Sequence, residues 1–207
     1  MNFTFNDIFS NPRYLVAIVG ILVILLIVFL VTLSKLVGEE KTPWKLAGKR
    51  GESEAGDLIK HVLNEDDYLL HNISVELKKS ETELDFVIVN ECGVHIIEVK
   101  NYVGTLYGNE EDNNWRKVKV TGFGRRYEKM VRNPIKQVKR QVFILAEYLR
   151  ENGIDVWVSG YVLLTEFNSP VHNGYILESL HDVDHALHTA QKRQLSKDKM
   201  EKIVSLL

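Results

Sequence analysis

An uncharged apolar run, Tyr14–Leu33 (YLVAIVGILVILLIVFLVTL), constrains the fold of this 207-residue chain more than any other feature. A helix rises about 1.5 Å per residue, so a run of this length reaches roughly 30 Å, the thickness of a bilayer's hydrocarbon core. The run is apolar on every face, whereas a helix that covers a soluble core keeps a polar face. A secretory signal would be shorter and would end in a small-x-small cleavage site. We therefore expect a retained transmembrane helix over residues 14–37, after a short tail over residues 1–13.

Positive charge is concentrated on the C-terminal side of this segment. Only Arg13 precedes the run closely, whereas five basic residues follow it: Lys35, Lys41, Lys45, Lys49 and Arg50. Because the more basic flank stays in the cytoplasm, we expect a single-pass protein of the cell membrane with its C-terminal domain inside. The same region, Lys35–Arg50, is also suited to contact anionic lipid headgroups. Pro43 and Gly48 indicate that residues 38–50 lack regular structure, and we assign residues 38–47 to a linker.

The rest of the chain has the composition of a globular domain. Apolar residues make up 45% of the sequence and charged residues 26%, which excludes a disordered protein. The single cysteine, Cys92, excludes an internal disulfide framework and fits a reducing compartment. Periodicity predicts a helix over residues 52–63, followed by strands over residues 68–77, 83–90 and 93–100. The last of these strands is apolar on both faces, as central strands are.

The second half of the chain continues with mixed elements. Weaker strands are expected over residues 103–108 and 115–121. Asn133-Pro134 is a good helix start, and the apolar stripe that follows it ends near Gly153. A buried strand over residues 156–164 and helices over 181–190 and 197–206 complete the chain. This order predicts an α/β layered fold, with residues 166–207 as a helical extension that packs on the domain.

The sequence between the second and third strands predicts a tight hairpin. With Glu91 and Cys92 as its central residues, Asp85 lies opposite Glu98, and Lys100 points to the same face. Opposite side chains have Cβ atoms about 5 Å apart, where two carboxylates repel by roughly 3 kcal/mol at an effective dielectric of about 20. A shared proton, the lysine or a divalent cation could offset this repulsion. Mg²⁺ prefers such oxygen ligands, but an ordinary strand with a surface Glu-x-Lys pair has the same spacing.

These residues also carry a resemblance to a known family. Asp85 and Glu98-Val99-Lys100 resemble the core of PD-(D/E)xK nucleases. More closely, five segments over residues 48–165 are similar to NERD, the nuclease-related domain: GKRGE (48–52), LDF (84–86), GVHIIEVKNYVG (93–104), Trp115 and NPIKQ (133–137). The resemblance implies a mixed-sheet, restriction-endonuclease-like core over residues 48–165.

The resemblance also implies a site. Asp85, Glu98 and Glu52 would hold Mg²⁺ or Mn²⁺, and Lys100 and Gln137 would complete the catalytic set. Glu54 also lies near the start of the first predicted helix, so either glutamate could serve. The implied reaction is hydrolysis of phosphodiester bonds in DNA or RNA. For the family as a whole, the core implies a site more firmly than a reaction.

Basic residues are concentrated between Trp115 and Arg140. Ten lysines and arginines stand there against one acidic residue, Glu128. Trp115, Phe123 and Tyr127 add surfaces on which bases could stack. We expect nucleic-acid contact from six of the basic residues: Arg125, Arg126, Lys129, Arg132, Lys136 and Arg140. Anionic lipid and a merely solvated surface are the alternatives.

Two hypotheses of different classes follow. One is a membrane-anchored, metal-dependent nuclease. The other is a non-catalytic, membrane-tethered module of the same fold that binds nucleic acid or acts as a scaffold. A membrane-organising protein that binds lipid is a third possibility. His181, His185 and His188 share a helix face but lack a closed set of zinc ligands, so we interpret them as surface histidines.

Overall fold

The computed structural model describes residues 16, 20–29, 43–78, 80–189 and 194–207, without the side chains of residues 43–49. The chain divides into two units, Met1–Pro43 and Trp44–Leu207. In the first unit, residues 20–29 are helical and exposed. Within the described residues, no helix combines the length and the apolar character needed to cross a membrane. The tail over residues 1–13 and most of the predicted segment 14–37, including Lys35, lie outside the described residues.

From Pro43 onward the chain contains both helices and strands. In chain order its elements are α1 (Pro43–Val62), β1 (Tyr68–Leu77), β2 (Ser80–Asn90), β3 (Gly93–Lys100), β4 (Thr105–Tyr107), β5 (Asn114–Val120), β6 (Arg126–Arg132), α2 (Pro134–Glu151), β7 (Val158–Leu164), β8 (Ile176–Leu177), α3 (Leu180–His188) and α4 (Lys197–Leu206). The prediction that residues 38–50 lack regular structure is wrong from Pro43 onward. Proline is tolerated in the first turn of a helix because its missing N–H would have no partner there.

The main sheet has five strands in the order β1-β2-β3-β7-β8. β1, β2 and β3 pair antiparallel, whereas β7 pairs parallel to β3 and β8 parallel to β7. The crossover from β3 to β7 contains α2 and a second, three-stranded sheet in the order β4-β5-β6. The predicted α/β class with a mixed sheet is therefore confirmed.

Helices cover both faces of the main sheet. One core layer joins Ile135, Val138 and Leu145 of α2, with Ile203 of α4, to inward residues such as Val87 and Ile96. The other layer joins Ala55 and Ile59 of α1, and Val183 and Leu187 of α3, to residues such as Phe86 and Ile97. Every residue of β3 from Gly93 to Val99 is buried, so β3 is the central strand that the sequence indicated.

Two strands were not predicted. β6 shows one buried residue, Val131, among exposed ones, so no alternation of apolar and polar residues reveals it. It exists because it pairs with β5 along its whole length, from Asn114↔Arg132 to Val120↔Arg126. β8 has two residues and is too short for any periodic signal.

Candidate active site

The hairpin between β2 and β3 has the predicted register. Its pairs run from Phe86↔Ile97 to Asn90↔Gly93, with Glu91 and Cys92 in the turn. Asp85 and Glu98 occupy the next position, where Asp85 Oδ2 accepts a hydrogen bond of 2.7 Å from the backbone N–H of Val99. The two carboxylates therefore meet where the β2–β3 ladder ends, as the spacing required.

Glu98 is a buried carboxylate surrounded by hydrogen-bond donors. Its exposed fraction is 1%. Its Oε1 accepts from the Lys100 ammonium group and from Gln137 Nε2 at 2.6 Å. Its Oε2 accepts from Gln141 Nε2, also at 2.6 Å. Both oxygens are thus satisfied, which is the condition under which a carboxylate is stable away from water.

Gln141 is the contact that the sequence analysis missed. It follows Gln137 by one helical turn on α2, so both amides lie on the same face of the helix. Its Nε2 also donates to the backbone oxygen of Glu83 at 2.9 Å, which fixes the side chain against β2. Gln141 is 1% exposed. The spacing of two glutamines at i and i+4 after Asn133-Pro134 was the available signal.

Lys100 is a cation held against Glu98. Burial lowers the pKa of Lys100, but the charge and hydrogen bond of Glu98, together with Tyr102 and Asp85, raise this pKa by more. The net direction is upward, so the ammonium form is retained at neutral pH. Lys100 therefore offers positive charge to a ligand, and it is a poor general base.

Asp85 is the carboxyl group of this cluster whose pKa is raised by its surroundings. Burial, and then the charge of Glu98, raise the pKa of Asp85 from 3.8 to about 6, with a smaller contribution from Glu52. The Val99 N–H and Lys100 act in the opposite direction. Glu52 is half-buried on α1, where the neighbouring Gly51 packs so closely on Asn101 that an added Cβ would lie 2.7 Å from the Asn101 Cβ.

The geometry favours Glu52 over Glu54 as the glutamate of the candidate site. Glu54 is exposed and pairs with Arg50 at 2.8 Å. Glu52 acts electrostatically on Asp85 and lines an open cleft of about 360 Å³ between α1, β1 and β2. Glu52 is therefore the glutamate of α1 that adjoins the site.

The donor chemistry of the site fits a hard divalent cation. Asp85, Glu98 and Glu52 supply carboxylate oxygens, the ligands that Mg²⁺ and Mn²⁺ prefer, and a cation would offset the burial and repulsion that raise the pKa of Asp85. In the part of the chain that is described, however, no three His, Cys, Asp or Glu side chains stand in a metal-binding arrangement. Glu98 is instead engaged by Lys100 and the two glutamines.

The six basic residues expected to bind nucleic acid differ in their surroundings. Arg126 pairs with Glu128 at 2.6 Å, and Lys136 donates to Glu111 O at 2.6 Å and Asn113 Oδ1 at 2.9 Å. Arg125 lies in the β5–β6 turn, Arg132 at the end of β6, and Arg140 on α2, all exposed. Lys129 points to the other face of the small sheet from Arg126 and Arg132. Its partner across the strands is Lys117 of β5.

The aromatic residues of this region differ in exposure. Trp115 is 0% exposed and donates from Nε1 to Asn109 O at 2.8 Å, so the expectation that it stacks on bases is wrong. A large ring that is followed directly by Arg116 and Lys117 in the sequence is here buried in the core. Phe123 is 97% exposed and Tyr127 is 55% exposed, and both remain available for stacking.

The histidines of α3 are held by carboxylates. His188 bonds to Asp184 at 2.7 Å and to Asp67 at 2.8 Å, which joins α3 to the turn before β1. His181 and His185 have ring centroids 6.3 Å apart. Within the described ranges no metal-binding group of three residues includes them. His188 serves as a structural link.

Comparisons with known proteins bear on the identity of this chain. The model of the family described as NERD, nuclease-related domain, matches residues 47–165, which include Glu52, Asp85, Glu98, Lys100 and both glutamines. An uncharacterised protein of Bacillus anthracis is 35% identical over 97 residues, covering 44% of this chain and 43% of that protein. The chain thus spans less than half the length of this relative. No solved structure matches. The chain belongs to the nuclease-related domain family, NERD.

Proposed function

We propose that this protein is a metal-dependent phosphodiesterase that hydrolyses DNA or RNA, with a PD-(D/E)xK-type site. The observation that carries the proposal is the convergence of Asp85, Glu98 and Lys100 at the end of β3. Two glutamines of α2 complete the cluster. A strand that ends in a solvated surface ion pair would not bury its glutamate under three donors.

Mg²⁺ or Mn²⁺, held by Asp85, Glu98 and Glu52, would acidify a bound water and neutralise charge on the phosphodiester. The chain's own residues then have separable tasks. Gln137 and Gln141 fix the orientation of Glu98, one on each oxygen. Lys100 stays protonated and places its charge where negative charge grows on the phosphate oxygens. Asp85 is oriented by the Val99 N–H.

A second candidate is a non-catalytic module that binds nucleic acid or acts as a scaffold. The observation in its favour is that Glu98 is already neutralised by Lys100 and hydrogen-bonded on both oxygens. A glutamate that is engaged in this way needs no cation to satisfy its own oxygens. Turnover with metal decides between the two functions.

The test is cleavage of labelled DNA and RNA oligonucleotides, single- and double-stranded, with Mg²⁺, Mn²⁺ or EDTA. Glu98→Gln should abolish metal-dependent cleavage. Glu76→Gln, which neutralises an exposed glutamate on β1, is the matched control and should cut normally. Circular dichroism must show that Glu98→Gln is folded. Cleavage by folded Glu98→Gln at the wild-type rate would refute the proposal, and binding without cleavage of any substrate would favour the scaffold.

We also propose that residues 14–37 anchor the protein in the cell membrane, with the domain in the cytoplasm. The support is the uncharged apolar run and the basic residues that follow it. A C-terminal tag should be protected from protease added to intact cells. Cleavage of the tag without lysis would show the opposite orientation. A protein that remains soluble after lysis and centrifugation would refute the membrane anchor.

A further inference from the structure

Three lysines share one face of the β4–β5–β6 sheet. Lys117 of β5 lies directly opposite Lys129 of β6, and Lys119, two residues along β5, lies opposite Tyr127. Residues that are paired across strands, or two apart along one strand, point to the same side. Like charges placed directly opposite each other destabilise a sheet. This lysine face (Lys117, Lys119 and Lys129) therefore concentrates charge at a cost to the fold.

The lysine face is not neutralised from within the described chain. Glu128 points to the opposite side of the sheet, where it pairs with Arg116 at 3.5 Å and Arg126 at 2.6 Å. None of the three lysines has an ion-pair partner among the described residues. The nearby charges of Lys129 and Lys119 add to burial in lowering the pKa of Lys117. On one side of the small sheet Arg116 and Arg126 are thus paired with Glu128, and on the other side the charges of the lysine face have no acidic partner among the described residues.

The lysine face adjoins the candidate active site. Lys117 Nζ lies 5.6 Å from the centroid of the Tyr102 ring. Tyr102 in turn lies within electrostatic range of Lys100 and Glu98, which shift its pKa in opposite directions beneath the larger, raising effect of burial. Positive charge and an aromatic surface therefore continue from β5 and β6 to the carboxylates at the end of β3.

We infer that the lysine face binds the phosphodiester backbone of the nucleic acid and that Tyr102 marks the path from this face to Glu98 and Lys100. This inference rests on the proposed function. Residues two apart on a strand are separated by about 6.7 Å, close to two nucleotide steps of about 3.4 Å on one strand of a duplex, so Lys117 and Lys119 can meet phosphates that lie two steps apart. A lipid headgroup would need the charge but not the continuity with a buried carboxylate site, and nucleic acid accounts for both.

The experiment measures binding of full-length protein to a labelled single-stranded 20-mer in EDTA at several salt concentrations. Neutralising Lys117, Lys119 and Lys129 together to Gln should reduce the slope of log K against log salt by about 2, at about 0.7 per phosphate contact. Over the tenfold range from about 1 M to 0.1 M salt, a slope difference of about 2 corresponds to an affinity of the variant at 0.1 M that is on the order of 100-fold below that of the wild type. Replacing the three lysines with Arg should preserve the slope, because the positive charge is kept, and circular dichroism must show that the Gln variant is folded.

Lys197→Gln, Lys199→Gln and Lys202→Gln in combination remove the same charge from α4 and should leave the slope unchanged. A triple variant of the lysine face that keeps the wild-type slope would overturn the inference, while the metal-dependent cleavage assay would still judge the proposed function. Conversely, loss of binding beside normal cleavage by Glu98→Gln would support the lysine face and refute the assigned chemistry. Binding of phosphatidylserine vesicles, but not of oligonucleotide, through these lysines would overturn the inference in favour of lipid.

Discussion

Asp85→Asn should make the metal-free protein more stable at pH 8. In the wild type, burial and the charge of Glu98 raise the pKa of Asp85 from 3.8 to about 6. At about 1.4 kcal/mol per pKa unit, ionised Asp85 costs the folded state about 3 kcal/mol above pH 6. Asparagine removes the charge and keeps an oxygen that can accept the Val99 N–H.

The sign of the pH dependence follows from proton binding. Between pH 3.8 and about pH 6 the folded state holds a proton on Asp85 that the unfolded state has lost, so wild-type stability falls as pH rises through this window. Above about pH 6 the full free-energy cost of ionised Asp85 is present, and below pH 3.8 this cost disappears. The advantage of Asp85→Asn should therefore shrink by about 2 kcal/mol between about pH 8 and pH 4.5.

Urea titration in EDTA, followed by tryptophan fluorescence, to which buried Trp115 contributes, measures this difference. The m-value should be the same in both proteins, so that midpoints compare directly. Asp57→Asn, which neutralises an exposed aspartate on α1, is the matched control and should change stability by less than about 0.5 kcal/mol. An Asp85→Asn protein that is no more stable than wild type at pH 8, or whose advantage is independent of pH, would refute the electrostatic account of the site.

Gln141→Leu should lower the free energy of unfolding by about 1–3 kcal/mol in urea titration, because a buried oxygen of Glu98 loses its donor. The same variant should also cleave more slowly. An unchanged urea midpoint would contradict the contact between Gln141 and Glu98. Phe123→Ala should weaken oligonucleotide binding by about 1–3 kcal/mol at an unchanged salt slope, since the exposed ring can stack on bases but carries no charge. A changed slope would assign Phe123 another role. Burial lowers the pKa of His188, but Asp67 and Asp184 raise it by more, so its stabilising charge is present below about pH 6.5 and is lost as pH rises through its folded pKa. His188→Gln should therefore cost more stability at pH 5.5 than at pH 9, and equal costs in thermal melts would contradict the ion pairs.

The hairpin that presents the carboxylates could be predicted because its rules are local. A two-residue turn at Glu91 and Cys92 sets the register of every pair in β2 and β3, and that register places Asp85 beside Glu98. The long helix α2 was predictable for the same reason, since Asn133 caps it and accepts the N–H of Ile135 at 2.9 Å.

The features that sequence reasoning missed depend on distant contacts. The spacing of Gln137 and Gln141 places both amides on one face of α2, but nothing local shows that Glu98, 43 positions from Gln141, lies 2.6 Å from it. Trp115 stands at the start of a basic stretch of the sequence, and only its burial in the folded protein shows that it faces the core. The basic block reads as one run of charge, but the sheet sorts its members by alternation, with Arg116 and Arg126 on one side and Lys117, Lys119 and Lys129 on the other.

The parallel pairing of β3 with β7 governs the order in which the site can be assembled. The carboxylates belong to a hairpin, and hairpins close within microseconds because their contacts are local. Joining Val94 to Val158, by contrast, closes a loop of about 60 residues, at an entropic cost of about 3–4 kcal/mol before any constant term. Gln137 and Gln141 lie inside that loop on α2, so they reach Glu98 only when the crossover docks. The hairpin by itself therefore brings together Asp85, Glu98 and Lys100, and the two glutamines complete the site only after the long loop has closed.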